Sequence, residues 1–217
     1  MKIEEKNMSK GVLAVVSGFS GAGKGTVMKR LLERYDNYAL SVSVTTRQPR
    51  PGEEDGREYF FRTREEVEKM IKEDQLLEYA QYVDNYYGTP RFYVEEMLSQ
   101  GKNVILEIEI QGAMKIKEKI PEAVLIFVTP PSVQELKSRL EGRGTEAPEV
   151  IASRLIRASE EAEGMEDYDY LLVNDELEEC VSELHQIISS ERCRTQRNTE
   201  YIKRIQEESR ELMKGDL

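Results

Sequence analysis

The sequence predicts an α/β fold, a mostly parallel sheet with helices on both faces. Three observations predict it. Short apolar runs alternate with helical stretches along most of the chain. One run, Val124 to Val128, is apolar without interruption, as expected of a strand covered on both faces. A glycine-rich turn, Gly18-Phe19-Ser20-Gly21-Ala22-Gly23-Lys24-Gly25-Thr26, separates the first apolar run from the first helical pattern.

The elements follow in order. Val12 to Ser17 reads as a buried strand, and Lys24 to Arg34 as a helix with Val27, Leu31 and Leu32 on its inner face. Ala39 to Val44 alternates like a strand and ends in Thr45-Thr46. Asn103 to Ile110 is a strand carrying Val104, Ile105, Leu106, Ile108 and Ile110. Tyr170 to Val173 is a short last strand. Helices fill the intervals at Gly112–Lys119, Ser132–Leu140, Glu149–Glu163 and Leu177 to about Gln196. Ser132 with Glu135 predicts a capping box just after Pro130-Pro131.

The rhythm breaks between Thr46 and Gln100. Pro49, Pro51 and Gly52 form a breaker cluster. Tyr59–Arg62, Leu76–Val83 and Asn85–Tyr87 read as short strands. Between them, Thr63 and Glu66 predict a capping box that opens a helix ending near Glu73. A small mixed α/β insertion at 46–89 is therefore expected inside a core made of 1–45 and 90–217. A second interruption, Glu141 to Pro148 with Gly142-Arg143-Gly144, reads as a lid at about 141–150. The charged tail from Thr199 to Lys214 reads as a helix on the surface.

Composition narrows the function. The net charge of −11 argues against nucleic acid or an anionic membrane as partner. No apolar stretch approaches the roughly 20 residues that span a bilayer. Met1 to Lys10 has no signal-peptide core, and the two cysteines, Cys180 and Cys193, are expected as reduced thiols, so a cytoplasmic location is expected. The single His185 has no Cys or His around it and is expected as a lone surface imidazole.

The glycine-rich turn carries the first chemistry. Gly18, Gly23 and Lys24 meet the spacing Gly-x4-Gly-Lys of a loop whose backbone N–H groups cradle phosphates. The following helix adds its dipole and Lys24 a full charge. Gly25 stands where Ser or Thr would hold Mg²⁺, with Thr26 next, so Mg²⁺ is expected to be held mainly by nucleotide phosphates and water. An acidic molecule that binds phosphates must gather its cations locally. Arg47 and Arg50 sit three apart in a Pro-rich loop. On spacing alone they read equally as a phosphate clamp or as two solvated surface arginines.

Longer motifs decide between these. Ser43-Val44-Thr45-Thr46-Arg47-Gln48-Pro49-Arg50-Pro51-Gly52-Glu53 resembles the guanylate kinase family. So do Asp55-Gly56-Arg57-Glu58-Tyr59-Phe60-Phe61, Leu77-Glu78-Tyr79-Ala80-Gln81-Tyr82 and Asn85-Tyr86-Tyr87-Gly88-Thr89. Ile105 to Gly112 and Leu140 to Glu146 continue the resemblance, which covers about Gly11 to Leu184. It implies a P-loop, three-layer fold and the reaction ATP + GMP → ADP + GDP, with dGMP a second acceptor and Mg²⁺ entering with ATP. The insertion would bind GMP. Ser43, Arg47, Arg50, Tyr59, Glu78, Tyr87, Thr89 and Glu109 would line its pocket, the arginines and tyrosines holding phosphate. Arg143 and Arg154 match the family's flap arginines, Arg139 and Arg157 extend the set, and Asn174 resembles an adenine-side residue. Arg139 and Arg157 also read as helical-spacing partners of Glu135 and Glu161.

Guanine recognition has its own chemical logic. Guanine offers two adjacent donors, N1–H and the 2-amino group, and a carboxylate can accept both, whereas adenine presents a lone pair at N1. Glu78 is the expected carboxylate, helped by Ser43 and Glu109; without the resemblance it reads as an exposed strand glutamate. Two positions depart from the family. Glu109 stands where aspartate is common, and Phe19 where proline is usual. Glu107, two residues before Glu109 on the same strand face, is expected to reach Mg²⁺ through water. Rival readings are a phosphopeptide-binding module that has lost catalysis and a kinase for another phosphorylated small molecule. Self-association into a homo-oligomer stays open.

Overall fold

The computed structural model describes residues 10–82, 84–142 and 147–215. The first half runs β1 (Leu13–Gly18), α1 (Lys24–Arg34), β2 (Tyr38–Leu40), β3 (Ser43–Thr45), β4 (Tyr59–Phe61), α2 (Arg64–Lys72), β5 (Leu76–Tyr82), β6 (Asn85–Pro90) and α3 (Arg91–Ser99). It continues with β7 (Asn103–Glu107), α4 (Ile110–Lys119), β8 (Val124–Thr129), α5 (Val133–Gly142), α6 (Pro148–Ala162), β9 (Tyr170–Val173), α7 (Leu177–Glu191) and α8 (Thr199–Gly215).

Five strands form a parallel sheet in the order β2-β7-β1-β8-β9. The alternation along β1 explains why helices cover both faces. Ala14 and Val16 join a core with Met28, Leu31, Phe127, Leu136 and Val181. Leu13 and Val15 join an opposite core with Val104, Leu106, Ala113 and Leu125. Every one of these residues is buried, so each face of the sheet needs its own helical layer. The carboxyl ends of β1, β7 and β8 then converge on one edge, where α/β proteins bind ligands.

A second sheet has the order β4-β3-β6-β5. Its strands are mixed: β3 runs parallel to β4, while β6 is antiparallel to both β3 and β5. Val44, Val67 and Leu76 form its small core. The capping box of α2 is complete, since Thr63 accepts from the Glu66 N–H and Glu66 accepts from the Thr63 N–H.

Several expectations need correction. The alternating run Ala39–Val44 is two strands in different sheets. Ser41 N–H donates to Ile105 O beyond the β2–β7 ladder, while Val44 pairs with Gly88 of the second sheet. An alternating pattern is the same in either sheet, so it could not reveal the switch. The strand expected over Asn103–Ile110 ends at Glu107, and Ile110 opens α4. Past Glu107, the Ser17 hydroxyl rather than a ladder partner holds the Ile108 carbonyl. Glu107 and Glu109 therefore do not share a strand face; Glu109 is the N-cap of α4.

Ser132 accepts from the Glu135 N–H, but the Glu135 carboxylate takes Arg139, giving half of the expected box. The structure adds helix α3 to the expected elements, and α7 stops at Glu191 before a 3₁₀ turn at Thr195–Arg197. His185 is partly buried rather than on the surface: its ring stacks on Tyr35 at 3.8 Å and bonds the Tyr38 hydroxyl at 2.8 Å. Cys180 and Cys193 are both free thiols. Among the described residues no helix is long and apolar enough to cross a membrane. Val83 and Arg143, the latter in the expected lid, lie outside the described residues.

Candidate functional site

The glycine-rich loop links β1 to α1 and is shaped by close approaches. At Gly18 an added Cβ would lie 2.1 Å from the Val128 carbonyl oxygen. Gly23 caps α1 with φ +88°, and a Cβ there would meet the Asn174 amide nitrogen at 2.4 Å. Only glycine accommodates both the left-handed backbone and the contact.

Two side chains fasten this loop to the rest of the fold. The Asn174 amide, buried at the end of β9, donates to the Ala22 carbonyl at 2.7 Å, while Arg139 donates to the Asn174 carbonyl at 2.9 Å. The Phe19 ring is buried edge-on against Phe127, with centroids 5.1 Å apart. Phe19 and Ala22 thus turn their side chains into the core and can offer a ligand only backbone. Phe19 anchors the loop by packing.

Lys24 folds back on this loop. Its ammonium donates to the carbonyls of Gly18 at 2.7 Å and Phe19 at 3.1 Å. Burial holds its pKa below the ordinary lysine value, opposed by the charges of Glu107, Glu161 and Glu109. Arg154 of α6 crosses to the loop and donates to the Ser20 hydroxyl at 2.9 Å. A cavity of about 460 Å³ opens at this point. Gly18, Ser20, Lys24, Glu107, Glu109 and Arg154 line it, with Tyr82, Arg157 and Glu161. Cations and carboxylates from three separate segments, the start of α1, residues 107–109 and α6, therefore meet at the carboxyl edge of the parallel sheet.

Of the three carboxylates that line this cavity, Glu109 and Glu161 are engaged by Arg157, which leaves Glu107 for a metal ion. Glu107 is exposed at the end of β7, Thr26 is exposed in the first turn of α1, and Gly25 has no side chain. Such a set fits a hard cation that arrives on a polyphosphate and keeps most of its waters.

The other expected residues gather on the second sheet. Arg47 places its guanidinium 5.4 Å from the Tyr59 ring centroid and 5.8 Å from that of Phe61. Tyr59 and Tyr87 meet edge-on at 6.0 Å. Glu53 accepts from Arg47 at 2.9 Å and from the Arg50 N–H at 2.7 Å, which ties the Pro-rich loop into a turn. The Glu53 carboxylate thus occupies the forked donor, and the Arg47 pKa is raised by that bond. Arg50 joins this cluster through its backbone N–H, and its exposed side chain does not line the adjacent cavity of about 420 Å³, which Arg47 does.

Glu78 is not an exposed strand glutamate. It is 9% exposed, and the buried Thr89 hydroxyl donates to its Oε1 at 2.7 Å. Its Oε2 lies against Gly112, in the first turn of α4, where the helix dipole favours an anion. Burial nonetheless raises the Glu78 pKa above the ordinary carboxylate range. Ser43 opens β3, partly buried, one strand away from β6, where Tyr87 and Thr89 stand.

The arginine expectations divide. Arg139 bonds Glu135 at 2.8 Å, as its helical spacing suggested, and also reaches the strand end at Asn174. Arg157 bonds Glu161 at 3.2 Å and also Glu109 at 2.8 Å, a partner 48 residues away in sequence that periodicity cannot reveal. Tyr82 and Glu161 line the cavity in addition to the expected residues. Glu161 had a signal: it follows Arg154 and Arg157 by seven and four positions on one helix face.

Comparisons with known proteins agree in one direction. The family model described as guanylate kinase matches residues 10–191. A guanylate kinase of Lactococcus lactis subsp. lactis is 54% identical over 188 residues, covering 87% of this chain and 92% of its own length. One of Oceanobacillus iheyensis is 52% identical over 199 residues, covering 92% of this chain and 97% of its own. The crystal structure of guanylate kinase from Anaplasma phagocytophilum superposes with a TM-score of 0.67 at 36% identity, covering 87% of this chain and 90% of that one.

Proposed function

The chain belongs to the guanylate kinase family and is an ATP:GMP phosphotransferase, and from that premise we propose how its residues divide the work. The loop Gly18–Thr26 and Lys24 hold the ATP phosphates, with Arg139 and Asn174 at the nucleoside side. The insertion 46–89, between core segments 1–45 and 90–217, binds GMP or dGMP, and 141–150 serves as the lid. Arg47, Arg50, Tyr59 and Tyr87 take the GMP phosphate; Ser43, Glu78, Thr89 and Glu109 read the base. Arg154 and Arg143 act on the transferring group.

The observation that carries this reading is the meeting of Lys24 and Arg154 at one cavity with Glu107 and Glu109. Those groups come from both sides of the sheet edge, so a donor phosphate on the loop and an acceptor above α4 would abut. The acceptor oxygen of a nucleoside monophosphate is already anionic near neutral pH, so no general base is needed. Catalysis rests on alignment and charge neutralisation. Arg47 exchanges the Glu53 carboxylate for the acceptor phosphate, a dianion that outcompetes a single carboxylate. Mg²⁺ bound to ATP, with Glu107 reaching it through water, would offset charge on the β- and γ-phosphates. Water excluded from the closed site cannot hydrolyse ATP.

The test is ADP formation with GMP, dGMP, AMP and ribose phosphates as acceptors. Turnover confined to GMP and dGMP supports the assignment. Turnover with AMP or sugar phosphates at similar kcat/KM refutes the role given to Glu78. The rival phosphopeptide-binding reading requires no turnover at all.

A further inference from the structure

Arg157 holds together three elements that the reaction must coordinate. It stands on α6 one turn after Arg154, on the same face, and lines the cavity that Lys24 lines. Its Nε bonds Glu161 at 3.2 Å, and its Nη2 bonds Glu109 at 2.8 Å. Glu109 is the N-cap of α4 and 75% exposed, with no packing to fix its carboxylate. Glu161 is different. It is 18% exposed, and its Oε2 is buried with no hydrogen-bond partner. A buried carboxylate oxygen left so has spare capacity for a guanidinium that moves toward it.

We propose that Arg157 is a positioning residue that couples acceptor binding to the donor phosphates. With the acceptor site empty, Glu109 draws Arg157 toward α4. A guanine base that claims the Glu109 carboxylate releases Arg157, which then settles on Glu161, beside Arg154 and Lys24, and adds its charge to the field around ATP. This rests on the assignment of Glu109 to the acceptor base made above. The Glu109–Arg157 pair is half exposed, so its strength is small, and exchanging it is worth about fivefold in an equilibrium at most.

The experiment measures binding of a non-hydrolysable ATP analogue to the full chain, with and without saturating GMP. Wild type should bind the analogue several-fold tighter when GMP is present. Arg157→Met should abolish that gain, so that the analogue binds with the same affinity with and without GMP. Arg157→Lys should restore part of it. Glu109→Gln should bind the analogue up to about fivefold tighter without GMP, because the restraint is gone. A purely structural Arg157 would weaken analogue binding equally in both conditions, and that result overturns the coupling. Unchanged analogue affinity in Glu109→Gln overturns it as well. If GMP itself does not bind wild type, the assignment of the acceptor site fails first, which a direct GMP titration distinguishes.

Discussion

Glu78→Gln isolates the chemistry of one carboxylate while nearly preserving its volume. An ionised carboxylate has about four acceptor directions, and the Thr89 hydroxyl uses one of them at 2.7 Å. The Thr89 backbone N–H takes a second, and the two that remain are enough for both donors of guanine. The substitution keeps the Thr89 bond to the amide oxygen but turns the other atom into a donor that faces an N–H. One charge-assisted bond is lost and a buried donor loses its partner, about 3 kcal/mol together, or roughly 100-fold in kcat/KM for GMP. The lone pair at adenine N1 can now accept from the amide, so AMP should gain while GMP loses.

Stability should move the other way. Burial raises the Glu78 pKa above its ordinary value of 4.5, so the folded state favours the protonated form. That contribution is fully present below pH 4.5 and is lost as pH rises through the higher folded value. Glutamine does not titrate. The stability of Glu78→Gln relative to wild type should therefore increase from acid to neutral pH. Acceptor kinetics and denaturant unfolding across that range check both arms. Retained preference for GMP over AMP would show that the base is read elsewhere. A stability difference independent of pH would show that the carboxylate is not desolvated.

Other outcomes follow from the loop. Lys24→Met removes the one full charge inside it and should lower kcat by about 100-fold or more in an ADP-release assay, with the fold intact by circular dichroism. Phe19→Ala opens a cavity beside Phe127 and should destabilise the protein by about 3 kcal/mol, read as a lower midpoint in urea, with a raised KM for ATP. Asn174→Ala leaves the Ala22 carbonyl without its donor and should cost about 1–3 kcal/mol, raising KM for ATP but not for GMP in steady-state kinetics.

The sequence by itself determined the sheet, the loop and the types of residue that serve phosphate and purine. Those signals are local: an unbroken apolar run in β8, three glycines and a lysine at fixed offsets, and Thr63 three residues before Glu66. Each element follows from the spacing of side chains on its own backbone, which the chain order states directly. Tertiary structure decided the rest. It split Ala39–Val44 between two sheets, because alternation does not say which neighbour a strand will pair with. It buried Glu78 under Thr89 and turned Phe19 into the core, because burial depends on what packs above a residue. It joined Arg157 to Glu109, residues that share no periodicity, because the charge partner of a side chain is set by distance in space and electrostatic attraction does not follow the order of the chain.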